Sequence, residues 1–324
     1  MLARAPRAVL PSLSPETHGP HALHAQTRDW PQTNCFVDLW IELLHGCGLE
    51  PLAAFGFTVA QDFEGDHFTF SKMPPEDLRA LYGIGLQELA LYDELEPHLL
   101  TQIERGRIPI VEVDGFFLPD TRGTSYRESH VKTTIAVNLL DPAARRMEYF
   151  HNDGYFRLAG ADYDELMRPA TLLPYADFAK LGQGAPAPDI RATARALLAQ
   201  HMTRRPAANP VAAFAERVEA QALAVAERGP AFFHLYAFNT LRQLGANFEL
   251  LGSHLTWLFA TPDADALAAI EACAAIAAGA KAFQFRLARA TARAKFEGLA
   301  AALAPLADAH ARAMDALSRR LARP

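Results

Sequence analysis

Between residues 34 and 48 the apolar positions Phe36, Leu39, Trp40, Leu43 and Leu44 recur at intervals of three and four, and Gly46 and Gly48 close the run. That spacing predicts an amphipathic helix opening at Asn34. Next, AFGFTVAQDF and DHFTFSKM, separated by the turn-like EGD, read as two short strands. PPEDLRALYGI starts with prolines, carries acids in its first turn and ends at Gly83, which predicts a short helix. DELEPHLLTQIERGR is another, stopped by Gly106. The period then changes. IPIVEVD (108–114) and HVKTTIAVNLL (130–140) alternate as strands, DPAARR turns at Asp141-Pro142, and MEYFHN returns as the second half of a hairpin.

After APAPD, near residue 185, the chain becomes Ala-rich with helical spacing throughout. Breaks at Pro206 to Pro210, Gly229-Pro230, Pro262 and Gly279 predict an all-α bundle with short connections. The expected organisation is an irregular Pro-, Ala- and His-rich arm (1–30), an α+β domain (31–184) in which a helix packs on an antiparallel sheet, and a helical bundle (185–324). His18, His21 and His24 in the arm lack a Cys or carboxylate at ligand spacing, so they read as a solvated segment and no metal site is expected.

Bulk properties narrow the function classes. Half of the 324 residues are hydrophobic and the net charge is -6, so a sizeable core is available. Mild acidity without a basic tract argues against a nucleic-acid partner. Three cysteines, Cys35, Cys47 and Cys273, offer no disulfide framework and fit a reducing compartment. Charges interrupt the Ala-rich runs, so no membrane span is expected and the chain reads as cytoplasmic.

Cys35 carries the candidate chemistry. A thiol at a helix N-terminus meets unpaired N–H groups and the positive end of the dipole, which favour a thiolate and can form part of an oxyanion hole. It needs a base oriented by a third group. His130, opening a strand after LPDTRGTSYRES, is the candidate base. Asn152 or Asp153, on the returning strand, is the candidate orienting group. The order Cys, His, then Asn or Asp is that of papain-like enzymes. Cys47 and Cys273 sit in apolar or Ala-rich surroundings and read as core.

The run WPQTNCFVDLWIELLHGCGLEPLAAFGFTVAQDFEGDHFTFSKMPPEDLRALYGI resembles a bacterial family known mainly as a domain of unknown function. Genes of that family often neighbour amino acid:carrier-protein ligases. IPIVEVDGFFLPDTRGTSYRESHVKTTIAVNLLD and YFHNDGYF extend the resemblance to about residue 175. The arrangement is also similar, more distantly, to the papain-like N-terminal domain of the butirosin-biosynthesis acyltransferase group. The corresponding positions are Cys35, the strand Pro109 to Asp114, His130, and Asn152 or Asp153, although VNLLD stands where that group commonly has Gly-Tyr-Asp. The resemblance implies a papain-like domain and transfer of an acyl group from a carrier-protein thioester to a small amine. The phosphopantetheine would come with the carrier protein, and no tightly bound cofactor is implied.

Other polar residues complete the expected site. Gln32, with Asn34 and Gln26 nearby, is a candidate oxyanion donor or a turn residue. Asp114 and Asp120 flank GFFLP, and Asp114 would bind a substrate amine or hold the loop. Arg122, Tyr126, Arg127 and Lys132 cluster around His130 and would steer a carrier protein or form a solvated rim. In the bundle, His234, Asn239, Arg242, Gln243, Asn247 and Glu249 interrupt an apolar run that is also similar to the acyltransferase group. They read as an acceptor-binding wall or as interhelical hydrogen bonding. Two rivals stand beside the transferase: a cysteine hydrolase using the same residues, and a non-catalytic carrier-protein-binding partner with Cys35 buried.

Overall fold

The computed structural model describes residues 7–168 and 172–323. They form two compact units that exchange segments along the chain. The first comprises residues up to Ala25, Asn34–Pro51 and Pro74–Pro188; the second comprises Gln26–Thr33, Leu52–Met73 and the chain from Asp189 onward. The architecture is α+β, with an antiparallel sheet and helices followed by a helical C-terminal region.

The first unit is built on β1 (Arg7–Ala8), β2 (Gly85–Glu88), β3 (Ile108–Asp114), β4 (Lys132–Asp141), β5 (Arg146–His151), β6 (Gly154–Ala159) and β7 (Ala176–Lys180). The order is β2-β7-β3-β4-β5-β6, and β1 pairs with the far end of β4. Every pairing is antiparallel. Helices α1 (Cys35–Gly46), α2 (Pro75–Tyr82), α3 (Leu95–Glu104) and α4 (Ala161–Leu166) accompany the sheet. Strand alternation divides the side chains between two faces. Ile135, Val137 and Tyr149 join Leu99 and Ile103 of α3 in one buried cluster. Thr134, Ala136 and Phe150 point the other way, toward α1. Gly46 lets that contact close, because a Cβ there would stand 2.9 Å from the Phe150 ring.

α1 buries charge as well as apolar surface. Asp38 and Glu42 are inaccessible, and the histidine arm is folded over them. Nε2 of His18 and Nδ1 of His24 each lie 2.6 Å from the Glu42 carboxylate, and the His21 backbone N–H donates to it at 2.8 Å. The solvated arm expected from composition is therefore corrected. Carboxylates one helical turn apart, distant in sequence from the histidines, supply the partners that local spacing did not show.

The second unit holds α5 (Ile190–Met202), α6 (Pro210–Arg228), α7 (Pro230–Ala237), α8 (Gln243–Leu258), α9 (Ala264–Arg293), α10 (Leu299–Ala302) and α11 (Ala304–Leu321). A wider π-helical turn, Phe238–Arg242, joins α7 to α8. α9 is long and apolar enough to cross a membrane by length and composition, and here it packs against α8 and α11. Trp30 inserts at Gly245 of α8 and donates to the Ala277 carbonyl at 3.0 Å; a Cβ on Gly245 would lie 2.3 Å from the indole.

The two short strands expected around residues 54–73 do not form. Pro51–Ala60 winds into 3-10 turns, and a single bridge between Phe63 and Phe68 is the only strand-like pairing in the segment. Ala53, Ala54, Phe55, Phe57 and Val59 are all buried, so their apolar run reflects burial on every side and not a pleated surface. Phe63 and Phe68 pack on Phe214 of α6.

Candidate functional site

Asn34 determines where α1 begins. Its extended backbone and side-chain Oδ1, which accepts from Phe36 N–H at 3.1 Å and Val37 N–H at 3.0 Å, form an N-cap. Cys35 is consequently the first helical residue, half-buried, with a free thiol. Its Sγ lies 3.7 Å from Oγ1 of Thr134 on β4. Asn34, named beside Gln32 among the polar residues expected to complete the site, caps the helix. Of the other cysteines, Cys273 is buried and Cys47 is half-buried; burial pushes the Cys47 thiol up to about 11 and the Cys273 thiol up to about 12.

His130 lies just before β4, and the acid beside it is Asp114, the last residue of β3. The imidazole Nδ1 donates to Asp114 Oδ2 at 2.6 Å, while Oδ1 of the same carboxylate accepts from Val131 N–H at 3.2 Å. Burial pulls the Asp114 carboxyl upward, but the His130 hydrogen bond and the Phe116 N–H outweigh it and hold Asp114 below the ordinary carboxylate range. The His130 ring stacks on Phe116 with centroids 4.4 Å apart and is 71% exposed. It opens onto a cleft of about 790 Å³ shared by Glu112, Asp114, Phe117, Lys132, Leu173 and Tyr175 among others.

Asn152 and Asp153, the sequence candidates for orienting His130, form the turn between β5 and β6, with Asn152 at φ 46°. Cys35 is absent from the described lining of the His130 cleft, and its hydrogen-bond partner is Thr134. The structure thus joins His130 to Asp114 and Cys35 to Thr134, and it makes no hydrogen bond between the thiol and the imidazole. His130 precedes Thr134 by four positions, or about 13 Å of extended chain.

The cations near His130 are engaged. Arg127 pairs with Asp162 and, at 2.5 Å, with Glu165; Lys132 pairs with Glu112 at 2.8 Å; Arg122 lies over the Tyr126 ring. In the second unit, Arg242 donates from Nε to the Gln32 carbonyl at 3.1 Å and from its terminal nitrogen to Gln32 Oε1 at 3.3 Å. Glu249 accepts from the Asp29 and Trp30 backbone N–H groups, each at 3.0 Å. Asn239 donates to the Leu235 carbonyl one turn back, and the Gln243 carbonyl accepts from Gln61. Asn247 bridges Thr58 and Ser71. These hydrogen bonds are ties within the second unit.

Sequence reading missed one cluster. Asp120 accepts from Tyr149 OH and from His151 Nδ1 at 2.5 Å, and His151 Nε2 lies 2.6 Å from Thr133 Oγ1. All four groups are buried or nearly so. The signal available in sequence was alternation: Tyr149 and His151 share a face of β5, but nothing local indicated that the 3-10 turn carrying Asp120 would cover it.

Comparison with known proteins places this geometry in a family. No curated protein matches the chain. Residues 19–181 match the DUF1839 N-terminal domain and residues 188–319 match the DUF1839 C-terminal domain. The chain, matched over both halves, belongs to the DUF1839 family.

Proposed function

We propose that the first unit is a papain-like cysteine acyltransferase that takes an aminoacyl or related acyl group from a carrier-protein phosphopantetheine thioester and gives it to a small amine. The observation that carries this reading is the Asp114–His130 hydrogen bond. A carboxylate on Nδ1 fixes the tautomer and leaves Nε2 to take a proton, which is the arrangement of a general base. Cys35, at the start of α1, supplies a sulfur beside the helix N-terminal amides.

In the proposed cycle His130 takes the Cys35 proton as Sγ attacks the thioester carbonyl. The acyl–sulfur bond to phosphopantetheine breaks, and the departing thiolate receives the proton from His130. The acceptor amine then attacks the acyl-enzyme, His130 takes its proton, and Sγ leaves as thiolate to be reprotonated. Amide N–H groups at the start of α1 would stabilise both tetrahedral oxyanions. The reading needs His130 Nε2 within proton-transfer reach of Cys35 Sγ, and His130 lies at most about 13 Å of extended chain from Thr134, the hydrogen-bond partner of Cys35. The substrates would be the acyl carrier protein and a cytoplasmic amine.

The exposure of the His130 ring favours a second reading, hydrolysis, because water reaches the imidazole unhindered. Incubating the full chain with an aminoacyl carrier protein, with and without amines, and recording intact mass separates the possibilities. A covalent adduct absent in Cys35→Ala and discharged by amine supports transfer. Discharge by water alone supports hydrolysis. Binding of the carrier protein with no adduct defeats both and leaves a non-catalytic partner.

A further inference from the structure

The same unit contains a second imidazole–carboxylate pair, His151–Asp120, that the proposed cycle does not use. Its hydrogen bonds run in a chain from Tyr149 through Asp120 and His151 to Thr133, so a hydroxyl, an imidazole and a carboxylate stand in the order familiar from hydroxyl nucleophiles. Two facts argue against Thr133 as a nucleophile. It is buried on a central strand, and neither Thr133 nor His151 lines the His130 cleft or the second cleft, of about 500 Å³, into which Asp120 faces.

The location of Asp120 supplies the role. It sits midway in the segment Gly115–Ser129 between β3 and β4, and the residues flanking that segment are Asp114 and His130. The segment is folded on itself: Thr121 Oγ1 donates to the carbonyls of Gly115 and Leu118, and Arg127 N–H donates to the Phe116 carbonyl at 3.0 Å. A Cβ on Gly115 would stand 2.8 Å from Ser125 Oγ, so the fold is tight there. Phe116, held in this fold, is the surface on which His130 stacks. Arg127 and Tyr126 tie the far side to Asp162. Asp120 ties the near side to the sheet.

We propose that Asp120 and His151 are positioning residues: they latch the Gly115–Ser129 segment to β5, and through Phe116 they hold His130 in its paired orientation. Burial gives the latch its strength, since a carboxylate that has left water must keep both donors or forfeit its solvation. The kinetic consequence rests on the acyl-transfer reading; the structural consequence does not.

Peptide-level hydrogen exchange and thioester turnover, both on the full chain, test the latch. In Asp120→Ala and in His151→Phe, amides of 115–131 are expected to exchange at least about tenfold faster, while those of α3 hold at the parent rate. Asp120→Asn, whose amide oxygen can still accept from Tyr149 while its NH2 donates to His151 Nδ1 in the other ring tautomer, is expected within about threefold of the parent. Turnover should fall about tenfold in kcat with KM nearly unchanged in the first two variants and recover in Asp120→Asn. Parent-like exchange of 115–131 in either disrupting variant overturns the latch, so a failure of one to fold leaves the other decisive. Loss of covalent acylation in Thr133→Val alone also overturns it, because the hydroxyl would then be reacting. If the parent chain forms no acyl-enzyme, the functional reading falls while the exchange result still decides the latch.

Discussion

The carboxylate that ends β3, Asp114, accepts the Nδ1 proton of His130 across the start of the β3–β4 ladder at 2.6 Å. Antiparallel pairing brings them close: Asp114, which closes β3, pairs with Lys132, which opens β4, and His130 stands two residues before that pair. Replacing Asp114 with Asn should release the tautomer and lower kcat for acyl transfer by roughly 10²–10⁴, with little effect on KM. Steady-state kinetics on a carrier-protein thioester measure this. A variant as fast as the parent would remove Asp114 from the reaction.

Thiol reactivity should divide the cysteines. Burial lifts Cys47 to about 11 and Cys273 to about 12, so both are almost wholly protonated at pH 7.5. Cys35 is half-buried at a helix N-terminus. Iodoacetamide at that pH should modify Cys35 at least about tenfold faster than either, as read by peptide mass spectrometry. Equal inertness of all three would favour the binding reading.

The histidine arm should make the first unit sensitive to alkali. Burial lowers the affinity of His24 for a proton, but the Asp38 carboxylate 3.6 Å away and the Glu42 carboxylate at 2.6 Å more than compensate and raise it from 6.5 to about 9. Its stabilisation is therefore complete below about pH 6.5 and is lost as pH rises through about 9. Glu42 has the opposite sign. Burial raises it, the bonds from His18, His24 and the His21 N–H bring it down to about 2, and its contribution disappears as pH falls from 4.5 through about 2. Urea unfolding across pH 6 to 9.5 should show a loss of stability that is absent in His24→Gln.

The second unit should weaken in acid instead. Desolvation lowers His254 and His310 to about 4, so protons are taken up on unfolding between pH 6.5 and 4 and stability falls as pH drops through that window. Far-ultraviolet circular dichroism of helix loss at pH 4.5 and 7 checks this, with His254→Gln expected to flatten the difference.

Removing the cap that starts α1 should cost about 1 kcal/mol. In Asn34→Ala the N–H groups of Phe36 and Val37 lose their acceptor, and Tm should drop roughly 2–4 °C. Because Asn34 also determines that Cys35 is the first helical residue, its alkylation rate should change in the same variant. A fall in Tm with an unchanged rate would show that the cap stabilises the helix without tuning the thiol.

Local physics made much of this molecule legible in its sequence. The period of three and four after Asn34, an Asn cap and a closing Gly located α1, and alternation located β3, β4 and β5, because these signals arise from neighbours within a few residues. Cys35 at a helix start and His130 just before a strand were likewise readable. The Ala-rich, Pro-punctuated second half announced its helices, but the break expected at Gly279 does not occur, because that residue lies inside α9 where it packs on Leu306. Where the core closes on all sides, as at Pro51–Ala60, hydrophobicity lost its period and the strand reading failed.

Which side chains meet was decided only in three dimensions. The acid beside His130 is Asp114 and not a residue of the β5–β6 turn, because β4 pairs with β3 as well as β5, and sequence order favours the nearer hairpin. His18 and His24 found Glu42, and His151 found Asp120, through segments that pack across a sheet or helix face without any periodic signature. A chain's pattern specifies which face of each element is apolar. Partners for buried charge are chosen by how those faces stack, a long-range outcome that no short window of sequence contains.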